Sequence, residues 1–196
     1  LHRALADLGL GAVTEAQVRD WVGRGAARLI EVALQHVVPH HAQDPQKHAV
    51  EARLLAAFMA RYQDSVCEAS TVYPGVAEFV AAAREAGIRL ACVTNKPYRP
   101  AVALLEALNL LDAFELIIGG DSLAHKKPHP EPLLHCLRHF EVTAAQALMV
   151  GDSRNDVDAA KAAGVKSLAL PYGYNHGESI EACEPDRLVA SLAELI

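Results

Sequence analysis

Two hydrophobic patterns divide this chain near Tyr73-Pro74-Gly75. Residues 1 to about 70 show helical periodicity alone. Leu5, Leu8 and Leu10 give a first short run that stops around Gly9 and Gly11, and Thr14 is placed to open a longer helix running past Trp21. A third run, about 45–62, is alanine-rich and gathers Leu54, Leu55, Phe58 and Met59 on one face, with Asp44 and Pro45 suited to a cap and first turn. Beyond residue 75 short apolar runs at 89–94, 116–118, 147–150 and 167–170 alternate with helical segments at 100–110, 130–139 and 156–163. Strands hydrophobic on both faces and separated by helices predict a parallel sheet in an α/β layer fold. The expected organisation is a helical cap domain over 1–71 and an α/β core over 72–196, with the boundary at 71–74.

Composition narrows the function. With 196 residues, 52% of them hydrophobic, the chain can fill one core and a small accessory domain. A net charge of −6 argues against a nucleic-acid surface, so an anionic ligand must be caught by a local device. Cys67, Cys92, Cys136 and Cys183 lack paired metal spacing and read as reduced thiols of a cytosolic protein. No signal peptide or bilayer-spanning run is predicted, which places the chain in the cytoplasm, away from membranes, as a monomer or homodimer.

In a parallel sheet the loops leaving the C-terminal strand ends converge on one edge, where ligands bind. Three such loops are polar here. Thr94-Asn95-Lys96-Pro97 offers a hydroxyl and backbone N–H groups suited to phosphate oxygens, or else ordinary turn chemistry before a proline. Gly119-Gly120-Asp121-Ser122 leads to Lys126-Lys127-Pro128, whose lysines read either as phosphate ligands or as solvated surface. Met149-Val150-Gly151-Asp152-Ser153 carries an apolar run into a carboxylate, with Asp156 on the next helical turn. Such a pair either holds a divalent cation or caps the helix.

Taken in chain order, hydroxyl, ammonium and paired carboxylate resemble the haloacid dehalogenase superfamily of phosphatases. Thr94 stands at that family's second motif, Lys127 at the third, and Asp152 with Asp156 at the fourth. Val72-Tyr73-Pro74-Gly75, Val93-Thr94-Asn95-Lys96-Pro97, Gly119-Gly120-Asp121-Ser122-Leu123, Lys126-Lys127-Pro128 and the stretch from Pro171 to Gly177 look, as a set, like the bacterial phosphoglycolate phosphatases within it. The resemblance implies a HAD-like core with a helical cap and hydrolysis of 2-phosphoglycolate to glycolate and phosphate through an aspartyl-phosphate. It also implies Mg2+ held by Asp152, with Asp156 as ligand or orienting group.

A carboxylate attacking a phosphate dianion meets roughly 8 kcal/mol of repulsion at about 4 Å and an effective dielectric of about 20. Mg2+ is expected to offset most of that, with Lys127 supplying the rest, while Thr94 and the backbone of Asn95 hold the phosphoryl group. The family's first motif, Asp-x-Asp at the end of a first strand, is not found in residues 1–196. The nucleophile is therefore expected upstream of Leu1, and residues 1–196 alone are expected to be inactive and poorly folded.

Substrate choice is attributed to the cap. Gly23-Arg24-Gly25 interrupts two helical runs, so Arg24 reads either as a clamp on the substrate carboxylate or as an exposed loop arginine. His135 and His139 share a helix face but lack a third ligand nearby and read as solvated, and His40-His41 reads as loop. Two other functions fit the same residues: a phosphatase for another small metabolite such as a sugar phosphate, or a catalytically inactive homologue acting as a binding protein. A substrate panel separates the first, and the residues upstream of Leu1 decide the second.

Overall fold

The structure, a computed structural model, describes residues 1–23, 25–38, 40–64, 70–173, 175 and 178–196. Cys67 and Arg24 lie outside the described residues. Four helices come first: α1 (His2–Asp7), α2 (Glu15–Trp21), α3 (Ala26–Val37) and α4 (Lys47–Asp64). Thr14 starts α2 through a reciprocal capping box with Gln17. That helix ends at Trp21 rather than running past it, because Val22 turns extended and Gly23 takes φ 111°. Gly25, at φ 90°, then opens α3. Ala4, Leu5, Val13, Ile30, Leu34 and Leu54 form the core of this half, with Trp21, Leu55 and Phe58 packed against it. Arg61 of α4 clamps Asp7 of α1 with two bonds of 2.6 and 2.8 Å.

The second half runs α5 (Val76–Glu85), β1 (Ala91–Val93), α6 (Tyr98–Ala107), β2 (Leu116–Ile118), α7 (Glu131–Phe140), β3 (Leu148–Gly151), α8 (Arg154–Ala163), β4 (Lys166–Ala169) and β5 (Arg187–Leu188). All strand pairings are parallel, as the apolar runs predict, but they form two sheets, β1-β2 and β3-β4-β5. Among the described residues no ladder joins β1 to β3. Central β4 is buried from Ser167 to Ala169, whereas no residue of β1 is fully buried and Leu148 of β3 is 54% exposed. Ala159 and Ala160 of α8 pack with Leu133 of α7 and Val165, and Leu168 and Leu170 pack with Val189 and Leu192.

Two expectations are corrected here. β5, a two-residue strand with too little apolar content to register, was not foreseen in the sequence. His41, expected in a loop, sits on a short 3-10 turn at 2% exposure, because its Nε2 lies 3.1 Å from the Glu51 carboxylate of α4.

Candidate active site

The C-terminal ends of β1 and β3 are brought together by one side chain, Lys127. Its ammonium donates to the carbonyl of Val93, the last residue of β1, at 2.5 Å, and to Asp156 Oδ1 on α8 at 2.6 Å. Lysine and aspartate are 7% and 5% exposed. Removing either partner leaves the other buried without its counter-charge. Lys126 behaves differently. Its ammonium lies against Gly25 at the start of α3, where any side chain would collide with it.

Asp156 is fully engaged. Beyond Lys127 on Oδ1, its Oδ2 accepts from the backbone of Asp152 (3.1 Å) and Ser153 (3.0 Å) and from the Ser153 hydroxyl (2.8 Å). Ser153 and Asp156 form the capping box that opens α8. This close wrapping explains Gly151, where a Cβ would run into the Asp156 side chain, and likewise Gly173, where it would meet Asp152. Asp152 is the contrast. Among the described residues no group from another residue donates to its carboxylate. Burial, and next the neighbouring Asp156 charge, push its pKa up, with Lys127 opposing. A half-buried carboxylate without a partner, beside a like charge, is the chemistry a hard divalent cation neutralises. Asp152 fits such an ion, and the saturated Asp156 fits the task of orienting the loop that presents it.

On the β1 side, Thr94 N–H continues the ladder to Ile118 at 2.9 Å, and its Oγ1 accepts from Lys96 N at 3.1 Å. Asn95 ties distant loops together. Its Nδ2 donates to the carbonyls of Lys127 (2.9 Å) and Gly23 (3.1 Å), while its Oδ1 is buried and accepts nothing among the described residues. Gly23 also accepts from Asn155 Nδ2 at 3.3 Å. Gly23 is thus fastened to both arms of the site. Asn155 was missed in the sequence because its partner lies 132 residues away. Asp121 caps α6, its Oδ1 accepting from Tyr98 N at 2.7 Å. Lys96 reaches Tyr62 of α4, hydrogen-bonded to its hydroxyl and 4.5 Å from the ring centre, and burial lowers the lysine's pKa.

Between α3, α4 and Lys126 opens a cavity of about 480 Å³ lined by Arg28, Glu31, His48, Glu51 and Leu55 among others. It joins the helical half to the loop that carries Lys127. Among the described residues no helix is long and apolar enough to cross a membrane.

With Thr94, Lys127, Asp152 and Asp156 on one edge of a parallel α/β core, the comparison with known proteins is direct. Residues 1–170 match the haloacid dehalogenase-like hydrolase family, and the chain belongs to it. It is an enzyme of the phosphatase type. The phosphoglycolate phosphatase of Nitrosococcus oceani is 43% identical over 188 residues, spanning 96% of this chain and 82% of that protein. That of Escherichia coli K12 is 39% identical over 205 aligned positions, 98% and 81% of the two chains. A solved structure from Haemophilus somnus, described as a predicted phosphoglycolate phosphatase, matches with a TM-score of 0.88 at 32% identity, over 99% of this chain and 86% of its own. CbbY from Rhodobacter sphaeroides, solved in complex with phosphate, matches with a TM-score of 0.81 at 30% identity, over the same 99% and 86%.

Proposed function

We propose that this protein is a Mg2+-dependent phosphomonoesterase hydrolysing 2-phosphoglycolate to glycolate and phosphate. The observation that carries the reading is the carboxylate of Asp152, which takes no bond from another residue among the described residues and lies beside the locked Lys127–Asp156 pair at the strand ends. Asp152 holds the cation, which, when bound, offsets the negative charge of the phosphate. Asp156 orients the Asp152–Ser153 turn and keeps Lys127 in place. The Lys127 ammonium supplies a fixed positive charge beside the reacting phosphate, and Thr94 with the Asn95 backbone cradles its oxygens. Asn95 and Asn155 hold the Gly23 carbonyl, and Arg24, next in sequence, serves as a clamp for the substrate carboxylate. The route through an aspartyl-phosphate needs a carboxylate nucleophile beside this phosphate. Residues 1–71 act as the cap and 72–196 as the core, in the cytoplasm.

The names borne by the relatives support this substrate over a sugar phosphate. A panel measuring phosphate release from 2-phosphoglycolate, sugar phosphates and an aryl phosphate, on the full-length protein, tests it. The expected result is the highest kcat/KM for 2-phosphoglycolate, lost selectively in Arg24→Ala. A sugar phosphate turned over tenfold better would overturn the assignment.

A further inference from the structure

Two histidines and a glutamate cluster on the outer side of the segment that carries Lys127. His125 and His129 stack with ring centres 4.1 Å apart. Glu131, first residue of α7, takes the His125 backbone N–H at 2.8 Å, and its Oε2 lies 2.9 Å from the His125 Nδ1. The Glu131 N–H in turn donates to His129 Nδ1 at 3.2 Å. One ligand atom from each of the three residues lies within 4.8 Å of the other two. From this geometry we infer that His125, His129 and Glu131 form a binding site for a divalent transition metal of the zinc class, separate from the Asp152 centre.

Two imidazoles and one carboxylate are a zinc donor set, and three protein ligands leave the remaining coordination position to water. Donors around a tetrahedral zinc stand about 3.3–3.5 Å apart for bonds of roughly 2.0–2.2 Å, so the widest gap must close by about 1.3 Å. Both histidines are exposed, and turning their stacked rings supplies that closure at small cost. The backbone is already set. His129 N–H bonds the Lys126 carbonyl at 3.0 Å, and the two bonds from His125 to Glu131 draw position 125 back onto the start of α7.

The local charge is compatible with a cation. Of the two lysines between the histidines, Lys127 is turned inward and neutralised by Asp156, and Lys126 is turned toward Gly25. Ligand softness sorts the two sites. Imidazole nitrogen favours zinc, copper and nickel, whereas the carboxylate oxygens of Asp152 favour magnesium. Binding uses the neutral imidazole and the ionised carboxylate, so affinity is expected to fall in acid.

The test is calorimetric titration of the full chain with Zn2+ in saturating Mg2+, with Co2+ absorption as the coordination signature. Wild type and Asp152→Asn are expected to bind one Zn2+ alike, with tetrahedral Co2+ bands. The double variant His125→Ala/His129→Ala is expected to lose at least a hundredfold in affinity, and Glu131→Gln at least tenfold, with unchanged melting temperatures in metal-free buffer. No Zn2+ binding by wild type, or binding that survives the double variant, would overturn the proposal. So would loss in Asp152→Asn with retention in the double variant, which places the ion at the phosphatase centre. Because the readout is binding rather than turnover, a different phosphatase substrate leaves the outcome unaffected.

Discussion

The two arms of the site are built differently. The arm after β3 is self-contained: Gly151, Ser153 and Asp156 fold on one another within six residues, backed by the buried β4. The arm after β1 is not. Its strand is half-exposed, and Asn95 spends its amide on two carbonyls far away in sequence. One arm presents a carboxylate on a preset turn, and the other holds the remaining loops in register around it. Short-range bonding fixes the Asp152–Asp156 turn, while long-range bonding fixes Gly23 between the arms. Lys127 also spans both.

Breaking that span gives the largest expected effect. Lys127→Ala leaves Asp156 buried without its cation, an expected loss of about 3–5 kcal/mol, together with a steep fall in kcat. Lys126→Ala is expected to stay near wild type in both thermal melting and turnover. Equal effects in the two would erase the distinction drawn between them.

On the self-contained arm, Asp152 carries a raised pKa, caused first by burial and then by Asp156. A folded-state pKa above the unfolded value means the native protein holds the extra proton, so stability falls as pH rises from about 4 through the folded value. Asp152→Asn should therefore melt higher than wild type at neutral pH without metal, and the gap should vanish in acid. Chemical denaturation across pH checks this, and a variant that melts lower at neutral pH contradicts it.

On the other arm, Asn155→Ala removes one of two bonds on the Gly23 carbonyl. It should cost about 0.5–1.5 kcal/mol and raise KM for 2-phosphoglycolate more than it lowers kcat. Asn95→Ala should do both more strongly, since it also frees the Lys127 carbonyl. Steady-state kinetics on both variants sharpens the contrast, and a pure kcat effect would assign these amides elsewhere. The smallest effect lies behind the sheet. Asp186 is held down to about 2, chiefly by Lys166 and also by the backbone and hydroxyl of Ser167. Its contribution is present above the ordinary carboxylate range and lost as pH falls toward 2. Lys166→Ala should shift only that acid limb of an NMR titration upward.

The sequence was most informative where signals are local. Thr14 marks the start of a helix, and the short apolar runs mark strands. Thus β2 falls where its apolar run stands, and Lys127 meets Asp156, which in turn holds the backbone of Asp152. Long-range facts left no trace. Nothing near residue 155 announces Gly23, and a buried His41 looks like any loop histidine until Glu51 arrives from α4. The histidines tell the same story. Helical spacing drew attention to His135 and His139, while the same His-x3-His spacing across the Lys-Pro turn, with Glu131 two residues on, is the one that converges. The division of the sheet was also hidden, because apolar runs predict strands without saying which neighbours they find.

The claim at the centre is that Asp152, and not the saturated Asp156, offers its carboxylate to the cation. Phosphate release from 2-phosphoglycolate, followed as a function of Mg2+ in full-length wild type and Asp152→Asn, tests it most directly. A saturable Mg2+ dependence in wild type and none in the variant is the expected result. The same Mg2+ titration and the same turnover in both proteins would contradict it.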